Sequence, residues 1–152
     1  MTATEWLVLG AGLVLLFASA PWHLGGLLLI KRIKPSGGDN GFLAILLTFW
    51  SLMLLHLSEI AIAAGMYWLV MLAPDAGTIT HATGSEMAAL LYFSGVTFAT
   101  LGFTSQHAEG PIRMLVMLEA LGGFMLITWS ATFVYSIWSE RFRSPDDGGE
   151  SG

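Results

Sequence analysis

The sequence predicts an all-α integral membrane protein with three transmembrane helices and a fourth, shorter helix that enters and leaves the bilayer on one face. Three observations predict it. The chain of 152 residues is 55% hydrophobic and 11% charged, against roughly 25% charged in soluble domains. Its polar residues gather at 31–40, 74–86, 104–113 and 139–152, and the runs between carry few charges, as membrane spans do. One of those runs is too short to cross.

The first run, Glu5–Ile30, ends at Lys31, Arg32 and Lys34. Ala18–Ala20 offers a site like that of a cleaved signal peptide, but "MTATEW" has no basic residue. The run is therefore read as a retained span with Pro21 as a tolerated kink. The second run, from Gly41 to about Leu72, exceeds the roughly 20 residues that a bilayer needs. The last, from Pro111 to about Trp138, ends at Arg141 and Arg143. Between them Met87–Ala99 would be roughly 20 Å long as a helix, against a hydrocarbon core of about 30 Å.

Charge fixes the topology. Five of the six Lys and Arg are Lys31, Arg32, Lys34, Arg141 and Arg143, and the positive-inside rule places both groups in the cytoplasm. Two crossings then lie between them, and the second and third long runs supply both. Met87–Ala99 must return to the outer face, with the N-terminus outside and the C-terminus inside. The chain divides into two N-terminal helices with a basic loop (1–73), a module of outer loop, short helix and last span (74–139), and a Gly-, Ser- and acid-rich tail (140–152) expected to be disordered.

"TLGFTS" (100–105) follows the short helix. Non-helical backbone at membrane depth is tolerated where protein buries it or water solvates it. One use for it is a ring of backbone carbonyls that replaces an ion's hydration shell. The negative end of the short helix's dipole, aimed at the membrane centre, favours a cation. With one such segment per chain, a ring requires several subunits.

"YFSGVTFATLGF" (92–103), followed by "LEALGGFMLITWSATFVY" (118–135), resembles the pore module of potassium channels. There a pore helix leads into a T-V-G-Y-G-D filter and then an inner helix. Thr100, Leu101, Gly102 and Phe103 match the first four filter positions. The resemblance covers about a third of the chain, residues 86–138. The first two spans are more weakly similar to small prokaryotic channel-like proteins with H-x-x-E before the pore. The resemblance implies a homotetramer in a prokaryotic cytoplasmic membrane. It implies ion coordination at Thr100, Leu101, Gly102, Phe103 and Thr104, and passive passage of potassium, with sodium as competitor. Where the family has Gly-Asp, this chain has Thr104-Ser105. Glycine there takes a positive φ at little cost, and a β-branched threonine does not. The outer end of the filter is therefore expected to adopt another conformation and to weaken potassium selectivity, with Glu109 as a partial substitute for the missing acid.

His56 and Glu59 share a helix face in "LLHLSEI", and Glu119 lies roughly 12 Å inside the last span. Ionisable groups at such depth need partners, so His56, Glu59 and Glu119 are expected to form a polar network behind the filter. Gly122 and Gly123 are candidates for a gating hinge or for close helix packing. Ser130 and Phe133 are candidate inner-vestibule residues. His23, beside Pro21 and Trp22, is expected at an interface or bracing the kink, and His81 and His107 in outer loops.

No phosphate loop, nucleophile–base pair or HExxH occurs, so no enzyme is expected. Six basic residues are too few for nucleic acid, and no cofactor, soluble partner or metal beyond the permeant ion is expected. The expected partners are the bilayer and identical subunits. Two other readings remain: a non-conducting, channel-like partner subunit, and a haem or metal redox protein with His23 and His56 as axial ligands.

Overall fold

The computed structural model describes residues 1–33, 41–80 and 86–142. Lys34, His81, Arg143 and the tail acids Asp146, Asp147 and Glu150 lie outside them. Four helices appear in order: α1 (Ala3–Ile33), α2 (Gly41–Met71), α3 (Glu86–Phe98) and α4 (Arg113–Phe142). Three of these elements contain stretches long and apolar enough to cross a membrane, Ala3–Ile33, Phe42–Met71 and Gly110–Ser139, while α3 is a shorter apolar helix. The chain is an all-α integral membrane protein.

Helix α1 opens with a capping box, in which the Thr2 N–H donates to Glu5 (2.8 Å) and the Glu5 N–H to the Thr2 hydroxyl (3.2 Å). Pro21 does not end it. Nearby, the Ser19 hydroxyl donates to the Leu16 carbonyl at 2.8 Å, a back-bond that serine makes within helices. Its buried positions, Val8, Gly12, Leu15, His23, Leu27 and Ile30, recur at spacings of three, four and eight and form one stripe.

The side-chain distribution inverts that of a soluble bundle. Phe17, Trp50 and Leu54 point outward, whereas His23, Glu59, Ser94, Glu119 and Ser130 are buried. Lipid explains the first group, and the expense of polar groups in hydrocarbon explains the second. The main core joins Val8 and Leu15 of α1, Ala63, Ala64, Tyr67 and Val70 of α2, Leu90 and Phe93 of α3, and Ile112 and Leu115 beside and within α4. A smaller cluster of Leu27, Ile30 and Leu52 joins α1 to α2 farther along. At Gly12 a Cβ would lie 2.6 Å from the Leu118 Cδ1, so the absence of a side chain there lets α4 pack closely on α1.

The sequence pattern does not show the short ribbon that pairs β1 (Thr78–Thr80) antiparallel with β2 (His107–Glu109). Ile79 faces Ala108, and the Ile112 N–H donates to the Ala76 carbonyl at 2.8 Å. The ribbon ties the segment before α3 to a 3-10 turn (Gly110–Ile112) that leads into α4. Three-residue strands lack the alternation that marks longer ones. Helix α4 also runs on to Phe142, past the boundary expected at 139.

Candidate functional site: the turn after α3 and the polar clusters behind it

The segment singled out in the sequence leaves α3 through a closed helix terminus. The Leu101 N–H donates to the Val96 carbonyl (3.0 Å) and the Thr100 N–H to the Thr97 carbonyl (2.9 Å). This is the Schellman pattern, with Thr100 at the left-handed position. Its φ is +53°, where glycine is usual and a β-branched residue costs about 1–2 kcal/mol. Gly102 follows with φ +71° and no atom near a would-be Cβ. Leu101 and Phe103 are 54% and 68% exposed. Among the described residues, no hydrogen bond ends on the carbonyls of Thr100 to Thr104.

Thr104 is not among the positive-φ residues, in keeping with its side chain. Its hydroxyl accepts the Gln106 N–H at 3.1 Å, a local turn that threonine favours. Left-handed threonine does occur, but four residues earlier at Thr100, because helix termination and not the filter pattern demands it. Gln106, which sequence reasoning missed, is buried and donates from Nε2 to the Ala89 carbonyl at 3.2 Å. It pins the returning chain to α3.

Gly122 and Gly123 sit where α4 meets its neighbours. A Cβ on Gly123 would overlap the Phe98 carbonyl oxygen and lie 2.9 Å from the Phe98 Cα and carbonyl carbon. A Cβ on Gly122 would meet the Leu16 Cδ1 at 3.1 Å. The end of α3 thus rests directly on α4 at Gly123.

Behind that contact the buried polar groups form two clusters, not the single network expected. In the first, the two Glu59 oxygens face His23 Nδ1 (2.8 Å) and His56 Nδ1 (2.9 Å). Both distal imidazole nitrogens face the Ser130 hydroxyl, at 3.3 Å for His23 and 3.1 Å for His56. In the second, Glu119 accepts hydrogen bonds from Tyr67 and Ser94, and Ser94 also lies 3.0 Å from the Ile60 carbonyl. The two Glu119 oxygens thus have separate partners, one on α2 and one on α3. The two carboxylates nonetheless line one cavity of about 130 Å³, together with Trp22, Phe98, Gly122 and Leu126.

His23 is the largest departure from expectation, being fully buried and not interfacial. It lies on the buried stripe of α1, and that spacing was the available signal. The imidazoles of His23 and His56 stack at 5.5 Å with their Nδ1 atoms on one carboxylate, which leaves no slot between them for a macrocycle. Ser130 is buried in this cluster, and Phe133 packs beside Leu27 and Leu52.

A family model described as ion channel matches residues 43–140. The chain belongs to that family, the potassium-channel-like pore domain. The match takes in α2, α3, the Thr100–Thr104 segment and nearly all of α4, and leaves α1 outside. Comparison with curated proteins and with solved structures finds no match. Membership of the family supports a channel-like role for the chain in ion transport across a membrane.

Proposed function

We propose that four copies of this chain surround a central pathway for monovalent cations, with α3 as a re-entrant pore helix and Thr100–Thr104 as the ion-coordinating segment. The observation that carries this reading is the run of backbone carbonyls that accept no hydrogen bond among the described residues, on an exposed turn at the end of a short apolar helix. Unsatisfied backbone groups are not tolerated in hydrocarbon. A symmetric ring of such turns around a partly dehydrated cation satisfies them. Positive φ at Gly102 lets the chain turn there without a side chain entering the path.

The cytoplasmic side holds the α1–α2 connection and the C-terminus, following the basic residues at both. Potassium is the expected principal ion. Thr104, bonded to Gln106 instead of adopting a glycine conformation, weakens selectivity over sodium at the outer end. Gly122 and Gly123 act in the proposed pore first as packing positions.

The experiment is ion flux from purified chain reconstituted in liposomes, with potassium and sodium gradients tested separately and oligomeric state measured in the same preparation. Flux of either cation from a tetrameric preparation supports the proposal. A folded tetramer that passes neither ion overturns the conducting reading in favour of a partner subunit. A folded monomer overturns both the ring and the filter.

A further inference from the structure

We propose that His23, His56 and Glu59 form an intramembrane binding site for a zinc-class divalent transition-metal ion, held from behind by Ser130. The three donors come from α1 and α2, and their ligating atoms all lie within 4.8 Å of one another. Two imidazoles and a carboxylate are the ligand set of zinc sites that keep an open fourth position, and imidazole also suits the neighbouring first-row metals. His23 and Glu59 are almost wholly buried, with 0% and 5% exposure.

The orientation of the rings is the stronger argument. Both Nδ1 atoms point at the same carboxylate, and both Nε2 atoms point at one hydroxyl on a third helix. Metal-binding histidines characteristically donate their other N–H to an outer partner, which fixes tautomer and ring plane. Ser130 fills that place for both rings at once, since its oxygen has two lone pairs.

Proton accounting shows how the site works empty and filled. Without metal the cluster is a closed ring of four hydrogen bonds: Glu59–His23, His23–Ser130, Ser130–His56 and His56–Glu59. Each of the four bonds can hold one proton, and a ring that holds all four has no net charge. When a divalent ion takes Nδ1 of both imidazoles and an oxygen of Glu59, three protons remain. Two sit on the Nε2 atoms and point at Ser130, and the third stays on the Ser130 hydroxyl. Binding therefore releases one proton per ion, an instance of the general coupling between metal and proton.

Of the three ligands, Glu59 alone lines the cavity of about 130 Å³, so the cavity meets the site on the carboxylate side, with volume enough for water. The metal-bound site would carry one excess positive charge, and Glu119 lines the same cavity, placing a second carboxylate where it can offset that charge. His23 lies outside the residues that the channel family matches, so the site belongs to the joining of α1 to the pore module and does not depend on the pore reading.

The test uses the full chain, purified without a polyhistidine tag and stripped with a chelator. Cobalt is titrated as an optical probe and zinc is counted by elemental analysis. We expect one ion per chain, ligand-field bands of a four-coordinate cobalt site, and one proton released per ion. Ser130→Ala should weaken affinity about 10–100-fold, as loss of an outer partner does, and Glu59→Gln should abolish the cobalt bands. His107→Gln, on the exposed ribbon, should bind as the parent does. A folded parent chain that takes up no cobalt overturns the proposal, and so does binding that survives both Glu59→Gln and Ser130→Ala. If Glu59→Gln does not fold, the parent titration and Ser130→Ala still decide.

Discussion

Replacing Gly123 with alanine tests whether the pore module is held by direct backbone contact. The added Cβ would overlap the Phe98 carbonyl oxygen and stand 2.9 Å from two further backbone atoms, whereas ordinary contact begins at 3.4 Å. Those atoms close the last turn of α3 and cannot rotate away as a side-chain tip can. The helices must therefore separate by about 0.5 Å or more, enough to forfeit much of the local dispersion energy. Overpacking of this kind costs about 1–3 kcal/mol. Gly122→Ala meets only the Leu16 Cδ1 at 3.1 Å, which a small rotamer change relieves, and Gly65→Ala meets nothing. The assay is unfolding in mixed micelles beside liposome flux. The expected order of damage is Gly123→Ala, then Gly122→Ala, with Gly65→Ala harmless. Equal loss of flux from both α4 substitutions, with stability unchanged in each, would refute the packing argument and favour a hinge.

Three other outcomes are expected. Gly102→Ala places a side chain at φ +71°, costs about 1–2 kcal/mol per subunit, and should abolish flux while the oligomer persists on size-exclusion chromatography. Thr104→Gly combined with Ser105→Asp should raise the potassium-to-sodium flux ratio, and an unchanged ratio in a conducting protein would remove Thr104 as the cause of weak selectivity. Tyr67→Phe or Ser94→Ala leaves a buried Glu119 oxygen without its donor, so each should cost about 1–3 kcal/mol in the same micelle unfolding experiment, where no loss would show that water replaces the donor.

Much of the fold was legible because membrane spans are long and compositionally plain. The runs from Glu5, Gly41 and Pro111 became α1, α2 and α4 within a few residues, and the short helix was set by the length of its apolar run. The β1–β2 ribbon was not legible, since its partners, from Thr78 with Glu109 to Thr80 with His107, lie 31 to 27 positions apart in sequence and only tertiary structure pairs them. The first polar cluster was half legible. His56 and Glu59 share a helix turn and could be paired from spacing. His23 and Ser130 reach them from other helices, and no local pattern records which faces of α1 and α4 meet α2. Thr100 illustrates the opposite limit. Its identity fitted a filter position, but its strain comes from ending α3, a demand visible only once the end of the helix is known.

The buried polar groups sort by what they hold. The second cluster runs from Tyr67 on α2 through Glu119 on α4 to Ser94 on α3, so it fixes the body of the short helix to both helices of the family-matched module. The first runs from His23 on α1 through Glu59 and His56 on α2 to Ser130 on α4, so it fixes the added helix to that module. Phe98 lies between the two: its ring packs 5.5 Å from His56, and its carbonyl rests on Gly123. The first cluster therefore touches, at Phe98, the end of α3 two positions before Thr100, while the second holds α3 farther back at Ser94. Packed interiors transmit small displacements because they have little free volume to absorb them. Substituting Phe98→Leu, which keeps an apolar side chain but removes the ring against His56, should uncouple the first cluster from the turn. Loss of Ser130 would then alter flux in the parent chain and leave it unaltered in the Phe98→Leu background. An equal effect of Ser130→Ala in both backgrounds would show that the coupling travels along α4 instead.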